Sequence, residues 1–463
     1  MSLDLRRKLA RLAPPPAIAS APEATSDVTA VALVAPEPAP IELASVDPAE
    51  TERKERIAKL RATIAQLEGK SRSALRDTAA LRDLARAETR NRGLPGEVVE
   101  TPHGPLHRVA TYLEPAHAHG RVPIASALDV EPAHVATFSL DPSLGELDLS
   151  RMLLIDTETT GLSGGTGTLP FLLGMAWFED RSLRLEQLLL RRPGEEGPML
   201  RRLAERLAEA SCIVTYNGKS FDWPLLRTRA VMNRVPLPPP RAHVDLLHAS
   251  RRIFGRRLAD VRLVSMESEV LGKRRERDID GAEIPELFFR FVRGESGAIL
   301  APVIEHNAHD LIALAAILAV LAERVASARA HHAPEDRLAV ASLAMRSGDA
   351  QRALSWACDA ADAGGDDSLI VEALLLAARA ARKARDRDRE GPLLERALAH
   401  AHALRREETL VAAVRLALAK HLEHHARDLP RALEHARHTA PCEGDERCTR
   451  RVERLTRRAQ RTS

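Results

Sequence analysis

The sequence predicts an α/β mixed sheet flanked by helices, followed by an all-α helical-repeat segment. Three observations carry this. Short apolar runs ending in turn residues recur between residues 147 and 328, beginning with Met152-Leu153-Leu154-Ile155. After Glu195, longer stretches with helical periodicity alternate with such runs. From residue 331 onward a six-residue pattern returns three times with no strand-forming run between copies.

Length and composition bound the reading. The chain has 463 residues, room for two or three domains of about 100–200 residues each. Its 44% hydrophobic residues lean on Ala, Leu and Val, and aromatics are only 3%, a helix-favouring bias outside the strand-rich segment. The 68 Lys+Arg against 65 Asp+Glu leave a formal charge of +3, which excludes a polybasic nucleic-acid coat; contact with nucleic acid must come from a local patch. Cys212, Cys358, Cys442 and Cys448 are too few and too scattered for a disulfide-stapled secreted fold. Met1 to Leu12 is basic, but Pro14-Pro15-Pro16 stands where a signal peptide needs an apolar core. The longest apolar run, Leu311 to Ala322, is too short to span a bilayer. The expectation is a cytoplasmic protein with no membrane partner.

Taken in order, residues 1–50 are rich in Pro, Ala and acidic side chains and read as a disordered tether. Residues 51–92 read as a charged amphipathic helix with Ile57, Leu60, Ile64 and Leu67 on one stripe. Residues 93–146, with Val98-Val99 and the run His107 to Tyr112, read as a small strand-bearing lead-in. Within 147–328, Met152–Ile155, Leu169–Phe178 and Leu183–Leu190 read as strands. The turn Glu179-Asp180-Arg181-Ser182 makes the last two a hairpin. A helix over about 195–210 follows, then a strand at Cys212–Tyr216, a helix from near Asp222, a short strand at His243–Asp245, and helices to Val325. In 331–463 the repeated hexads begin at Arg352, Arg396 and Arg431, the last two 35 residues apart. That spacing is close to the period of roughly 34 residues in tetratricopeptide repeats, which the segment resembles. A protein partner on these repeats is the corresponding expectation.

The chemistry concentrates in carboxylates. Asp156-Thr157-Glu158-Thr159-Thr160-Gly161 stands at the exit of the first central strand. Residues two apart on a strand share a face, so Asp156 and Glu158 present two carboxylates side by side. Such a pair repels itself unless cations intervene, the arrangement of a two-metal phosphodiesterase; an acidic strand end in solvent is the plain alternative. Asp222 lies at a strand-to-helix junction in Asn217-Gly218-Lys219-Ser220-Phe221-Asp222. Asp310 ends His306-Asn307-Ala308-His309-Asp310, and at four-residue spacing His306 and Asp310 share a helical face.

In this order and context Asp156, Glu158, Asp222 and Asp310 resemble the DEDD exonucleases of the ribonuclease-H-like superfamily. More narrowly, Asp156 to Gly174, Val214 to Asp222 and His306-Asn307-x-x-Asp310 resemble the YprB-type ribonuclease-H-like domain, over about residues 95–328. The resemblance implies that the four acids hold two divalent cations, Mg²⁺ or Mn²⁺, with Asp156 bridging both. It implies a 3′→5′ exonuclease acting on single-stranded DNA or RNA, with His306 as candidate general base. DEDD enzymes usually carry Tyr four residues before the last Asp or His five before it, whereas here His306 takes the four-residue position and Glu305 the five-residue one. An endonuclease using the same site, and a catalytically idle nucleic-acid-binding scaffold recruiting partners through its repeats, are the alternatives.

Around the acids, Thr159, Thr160 and Gly161 are candidate substrate contacts, or simply a tight turn. The glycine-rich loop 161–168 lacks the Lys-Ser/Thr ending of a P-loop. Asn217, Lys219 and Phe221 are further candidates for substrate contact, with core packing the favoured role for Phe221 and Trp223. Asp245 reads as structural or as a support to the four acids; the loop 278–285 could close over the site, but its acids would repel nucleic acid, so a structural role is the preferred reading. Arg251-Arg252, Arg256-Arg257 and Arg274-Arg275 form a basic cluster suited to a phosphate backbone, or a solvated face. His421, His424, His425, His435 and His438 read as exposed faces of the repeats.

Overall fold

The structure, a computed structural model, describes residues 59, 91–161, 167–192, 194–276, 278–327, 332–404 and 408–462. The expected tether at 1–50, and the expected helix at 51–92 apart from Lys59, Asn91 and Arg92, lie outside the described residues. Every element named below belongs to the compact unit 78–463.

The central sheet has seven strands. They are β1 (Glu97–Thr101), β2 (Gly104–Leu113), β5 (Met152–Thr159), β6 (Pro170–Glu179), β7 (Ser182–Leu189), β8 (Cys212–Thr215) and β9 (His243–Asp245). A separate two-stranded ribbon pairs β3 (Ala118–His119) with β4 (Val122–Pro123). The order across the sheet is β1-β2-β7-β6-β5-β8-β9. The first five strands run antiparallel to their neighbours; β8 and β9 join parallel to β5. The segment 93–146, read from sequence as a lead-in, thus supplies two strands to the main sheet: Val109 pairs with Gln187 across β2 and β7. Its exposed residues include Val98, Ala110 and Tyr112 beside Glu97, Glu100 and Thr111, so no clean alternation marks a buried face and the pattern does not advertise the pairing.

The β6–β7 hairpin forms as the turn predicts. Asp180 and Arg181 take left-handed backbones (φ 49° and 71°), the two-residue turn whose twist matches that of the strands it joins. Arg181 is fixed there by both oxygens of Asp129, each at 2.9 Å.

Strand β5 alternates its burial between two layers. Leu153 and Ile155 pack with Met199, Leu200 and Leu203 of helix α2 (Glu196–Glu209) and Phe288 and Phe291 of α6 (Ile284–Arg293). Met152 and Leu154 face α4 (Leu246–Phe254) and α7 (Ala301–Ala326), with Phe138 of α1 (Pro132–Ser139). Between these lie α3 (Asp222–Met232) and the short α5 (Leu263–Met266). The apolar run Leu311 to Ala322 belongs to α7, and every residue in it is buried. It is apolar all round because it sits between the sheet and the helices that follow: Leu154 and Ala176 share one core with Val340, Leu343, Leu354 and Trp356. No helix among the described residues is long and apolar enough to cross a membrane.

After residue 331 come α8 (Pro334–Ser347), α9 (Ala350–Asp362), α10 (Asp367–Lys383), α11 (Arg387–Ala401), α12 (Glu408–His421), α13 (Leu429–Ala436), α14 (Ala440–Glu443) and α15 (Asp445–Thr462). The first and third hexads lie in the opening turns of α9 and α13, and the second closes α11. Before each of these helices stands a left-handed residue and then an Asp: Gly348-Asp349, Arg385-Asp386 and Arg427-Asp428. Asp349 accepts from the Arg352 amide at 2.9 Å, and Asp428 from the Arg431 amide at 3.1 Å, each capping its helix. The hexad alanines Ala353, Ala397 and Ala432 are fully buried, where a larger side chain would push adjacent helices apart.

Candidate metal and catalytic site

Asp156 and Glu158 continue the Met152–Leu154 face of β5 and so point toward α7. Across the sheet, Asp156 pairs with Gly174 of β6, and Gly174 with Gln187 of β7. The missing side chain at Gly174 matters: a Cβ there would lie 2.3 Å from Oδ1 of Asn307. The space admits the fully buried Asn307 of α7, whose Nδ2 donates to Asp156 Oδ2 at 2.7 Å. Gln187 Nε2 in turn donates to Asn307 Oδ1 at 2.8 Å and to the Ile304 carbonyl at 2.7 Å. One row of three strands thereby orients the first acid.

Asp222 is the first residue of α3, and its Oδ1 accepts from the Thr157 hydroxyl, on the opposite face of β5 from its neighbours. Asp310 lies one turn beyond His306 on α7. Arg275, its side chain only 3% exposed, donates Nη2 to Asp310 Oδ1, holds Asp278 Oδ2 at 3.1 Å and meets Glu267 at 2.7 Å. Glu267 is fully buried and also meets His119 Nε2 of the ribbon at 2.6 Å. His306 Nδ1 lies 2.7 Å from Asp278 Oδ1, and its Nε2 lies 3.7 Å from Asp310 Oδ2.

The electrostatics follow from crowding acids where water is scarce. Burial, then the charges of Asp310, Glu158 and Asp222, push the Asp156 carboxyl well above the usual carboxylate range. Burial and Asp310 lift Glu158 to about 7, against the pull of His306. Burial lifts Asp222 to about 6, against the Thr157 hydrogen bond. Asp310 is raised by burial although Arg275 and His306 oppose it. His306 is raised because Asp310 and Asp278 outweigh its own burial. Ligand atoms of Glu158, His306 and Asp310 all lie within 4.8 Å of one another. Donor atoms of Glu158, His306 and Asp310 that converge, beside Asp156 and Asp222 whose charges add to the repulsion, fit a divalent cation: a bound cation removes the repulsion that lifts these pKa values.

The remaining sequence-predicted residues divide. Thr159 Oγ1 donates to the Gly161 carbonyl at 3.0 Å, and Thr160 accepts from the Leu169 amide at 3.0 Å, closing the base of the glycine-rich loop. Residues 162–166 of that loop lie outside the described residues. Asn217 has a left-handed backbone (φ 68°), and the amides of Asn217 and Lys219 donate to Asp245 at 2.8 and 3.1 Å. Asp245 is therefore a loop clamp, as read from sequence, and the Lys219 side chain stays exposed.

Four expectations are corrected. Phe221, favoured for the core, is 55% exposed at the N-cap of α3. Trp223, by contrast, packs against the core. Arg275 leaves the supposed basic face for the acid cluster, and Arg257 pairs with buried Asp336 at 3.0 Å. Asp278 does not belong to a purely structural loop, since it holds His306. His421 and His435 are buried rather than exposed, His421 lying 3.3 Å from Glu390.

Sequence reasoning assigned no role to Asn307, Gln187, Glu267, Thr157 or His119. Asn307 was within reach, since it sits inside the His-Asn-x-x-Asp motif at a helical position facing the strand. The others carry no local signal.

A family model described as RNase_H superfamily matches residues 153–322. The chain is also 35% identical over 189 residues to the uncharacterized protein YprB of Bacillus subtilis (strain 168); the match covers 40% of this chain and 45% of that protein. The chain thus spans less than half the length of this curated relative. The expected ribonuclease-H-like mixed sheet with flanking helices, followed by further helices, is the fold found.

Proposed function

From the premise that this chain carries a ribonuclease-H-like superfamily domain, we propose that it is a metal-dependent nuclease, a 3′→5′ exonuclease on single-stranded nucleic acid. The observation that supports the reading is the cluster of Glu158, His306 and Asp310 ligand atoms within 4.8 Å of one another, with Asp156 and Asp222 near enough to raise the pKa values of their neighbours. Asp156, Glu158, Asp222 and Asp310 would hold two Mg²⁺ or Mn²⁺ ions. Bound there, such ions activate the attacking water and neutralise charge on the leaving oxygen.

The chain's own groups do the rest. Asp278 takes the Nδ1 proton of His306 into a hydrogen bond, so Nε2 is the atom that receives the proton of the attacking water. A P–O bond forms to that water as the bond to the leaving sugar oxygen breaks, and the leaving oxygen is protonated from solvent. Asn307 and Gln187 keep Asp156 in one orientation, and Arg275 does the same for Asp310. The exposed ring of Phe221, next to Asp222, offers a surface on which a terminal base can stack. Polarity and exonucleolytic action rest on the resemblance of the four-acid pattern to DEDD exonucleases.

The test is end-labelled single-stranded DNA and RNA with Mn²⁺ or Mg²⁺, run beside Asp156→Ala. Stepwise loss from the 3′ end, abolished by the substitution and by chelator, is expected. Interior fragments would make the enzyme an endonuclease, and binding of either strand without cleavage would leave a scaffold.

A further inference from the structure

The C-terminal helices enclose a second charged concavity. Helices α10, α11, α12 and α15 surround a cavity of about 530 Å³ whose nine lining side chains are four arginines, one lysine, one glutamate and three histidines. Arg382 ends α10, Arg387 opens α11, Lys420 stands near the end of α12, and Arg451 and Arg454 come from α15. All four arginines already face a carboxylate: Arg387 with Glu390 at 2.9 Å, Arg382 with Glu390 at 3.9 Å, Arg451 with Glu443 at 2.7 Å, and Arg454 with Glu423 at 2.8 Å. Lys420 has no carboxylate partner among the described residues. It is half-buried, and burial together with Arg451 and Arg382 pushes its ammonium below the ordinary lysine range, against the opposing pull of Glu443. A cation held in a cavity against two guanidinium groups is relieved by an anion.

We infer that this cavity binds the phosphate backbone of a nucleic-acid strand, as an anchoring site for a polymer whose end is in the acid cluster. The inference rests on the nuclease reading for its choice of polyanion. Two observations favour a strand over an acidic peptide. Among the described residues no apolar side chain lines the cavity, whereas peptide grooves draw their affinity from apolar anchor pockets. Phosphates, by contrast, are held by charge and by forked arginine donors without such anchors. The helical array is also continuous with the nuclease core through Val340, Leu354 and Trp356, so a strand held on one is kept at raised local concentration for the other. An adjoining cavity of about 310 Å³ shares Arg382 and Lys420 and has Leu375, Leu394 and Leu416 in its wall, which makes an acidic peptide with an apolar anchor the competing occupant.

The test uses the full chain in EDTA, so that cleavage does not enter, with fluorescein-labelled oligo(dT) and oligo(U) read by anisotropy over a salt series. Lys420→Glu is expected to weaken binding about 10-fold and to reduce the slope of log K against log salt by about 1. Lys420→Gln and Arg382→Ala should act in the same direction, while Lys383→Glu, on the exposed side of α10, should leave both quantities near wild type. Circular dichroism melts verify that each variant folds. Cleavage of a dinucleotide, too short to bridge two sites, is expected to be unchanged in Lys420→Glu. If wild type binds strands through Lys420 yet cleaves nothing, the nuclease reading falls and the anchoring site stands. Unchanged strand binding in Lys420→Glu and Arg382→Ala, or no strand binding by wild type, overturns the inference. So does tighter, Lys420-dependent binding of an acidic leucine-containing peptide than of either strand.

Discussion

Asp278 Oδ1 lies 2.7 Å from His306 Nδ1, while the other ring nitrogen of His306 faces Asp310 Oδ2 at 3.7 Å. A carboxylate therefore faces each ring nitrogen, and Arg275 Nη1 also stands 3.3 Å from Nδ1. One carboxylate selects the tautomer, and the other sets where the free nitrogen points.

Substituting the tautomer-selecting partner should be felt in turnover. Asp278→Asn is expected to lower kcat about 10–100-fold with a smaller change in KM, since the strand makes its contacts elsewhere. Asp278→Glu should recover part of the loss. Steady-state kinetics on an end-labelled strand read both; a loss confined to KM would assign Asp278 to strand binding instead.

The acid cluster predicts a pH dependence with a definite sign. A carboxyl whose pKa is raised by folding binds more protons folded than unfolded between the two values, so metal-free stability falls as pH rises through that window. The window is 4.5 to about 7 for Glu158 and 3.8 to about 6 for Asp222. In EDTA, the wild-type melting temperature should drop between about pH 5 and about pH 8, and Glu158→Gln should flatten that drop. Mn²⁺ must displace the same protons, so its stabilising shift should be larger at the higher pH. Equal slopes for wild type and Glu158→Gln would mean that the carboxyl titrates normally.

Gly174 tests the row that orients Asp156. Gly174→Ala places a Cβ against Asn307 Oδ1 and should cost about 1–3 kcal/mol in urea denaturation. Because the displaced amide leaves Asp156 unoriented, Mn²⁺ affinity by calorimetry should fall about 10–100-fold. Asn307→Leu should reproduce the loss of affinity without the clash. If both variants bind Mn²⁺ as wild type does, Asn307 merely fills space.

Arg275 joins Glu267, Asp278 and Asp310 from a nearly dry position. Arg275→Met leaves Glu267 buried with only His119 and should cost about 3–5 kcal/mol. Adding Glu267→Gln should return part of that, because the uncompensated charge is then gone. Additive losses in this double-mutant cycle would show that the two side chains do not share an interaction.

The order of strands and helices from Met152 to Val325 was legible because each element carries its own period: β6 is buried on both faces and reads as one apolar run, and α7 is apolar all round. The D-x-E pair was legible for the same local reason, since alternation puts both carboxylates on one face. The outer strands β1 and β2 were not attached to the sheet in the reading because an edge hairpin shows no pattern that names its partner. Phe221 was misjudged because an aromatic residue beside a helix start is equally compatible with core and solvent until the neighbouring elements are in place.

By itself, then, the sequence determined the periodic elements, the hexads that recur on α9, α11 and α13, and the four acids at strand and helix ends. These are consequences of residues within a few positions of one another, where backbone geometry alone decides which side chains share a face. Only the tertiary structure decided that Arg275 and Asp278 belong with Asp310 and His306, that Gly174 makes room for Asn307, and that Lys420 meets cations from three other helices. Those relationships join residues from separate elements, 28 positions apart for Asp278 and His306 and 151 for Asn307 and Asp156. Contact across such separations is set by how the layers pack, which no local pattern encodes.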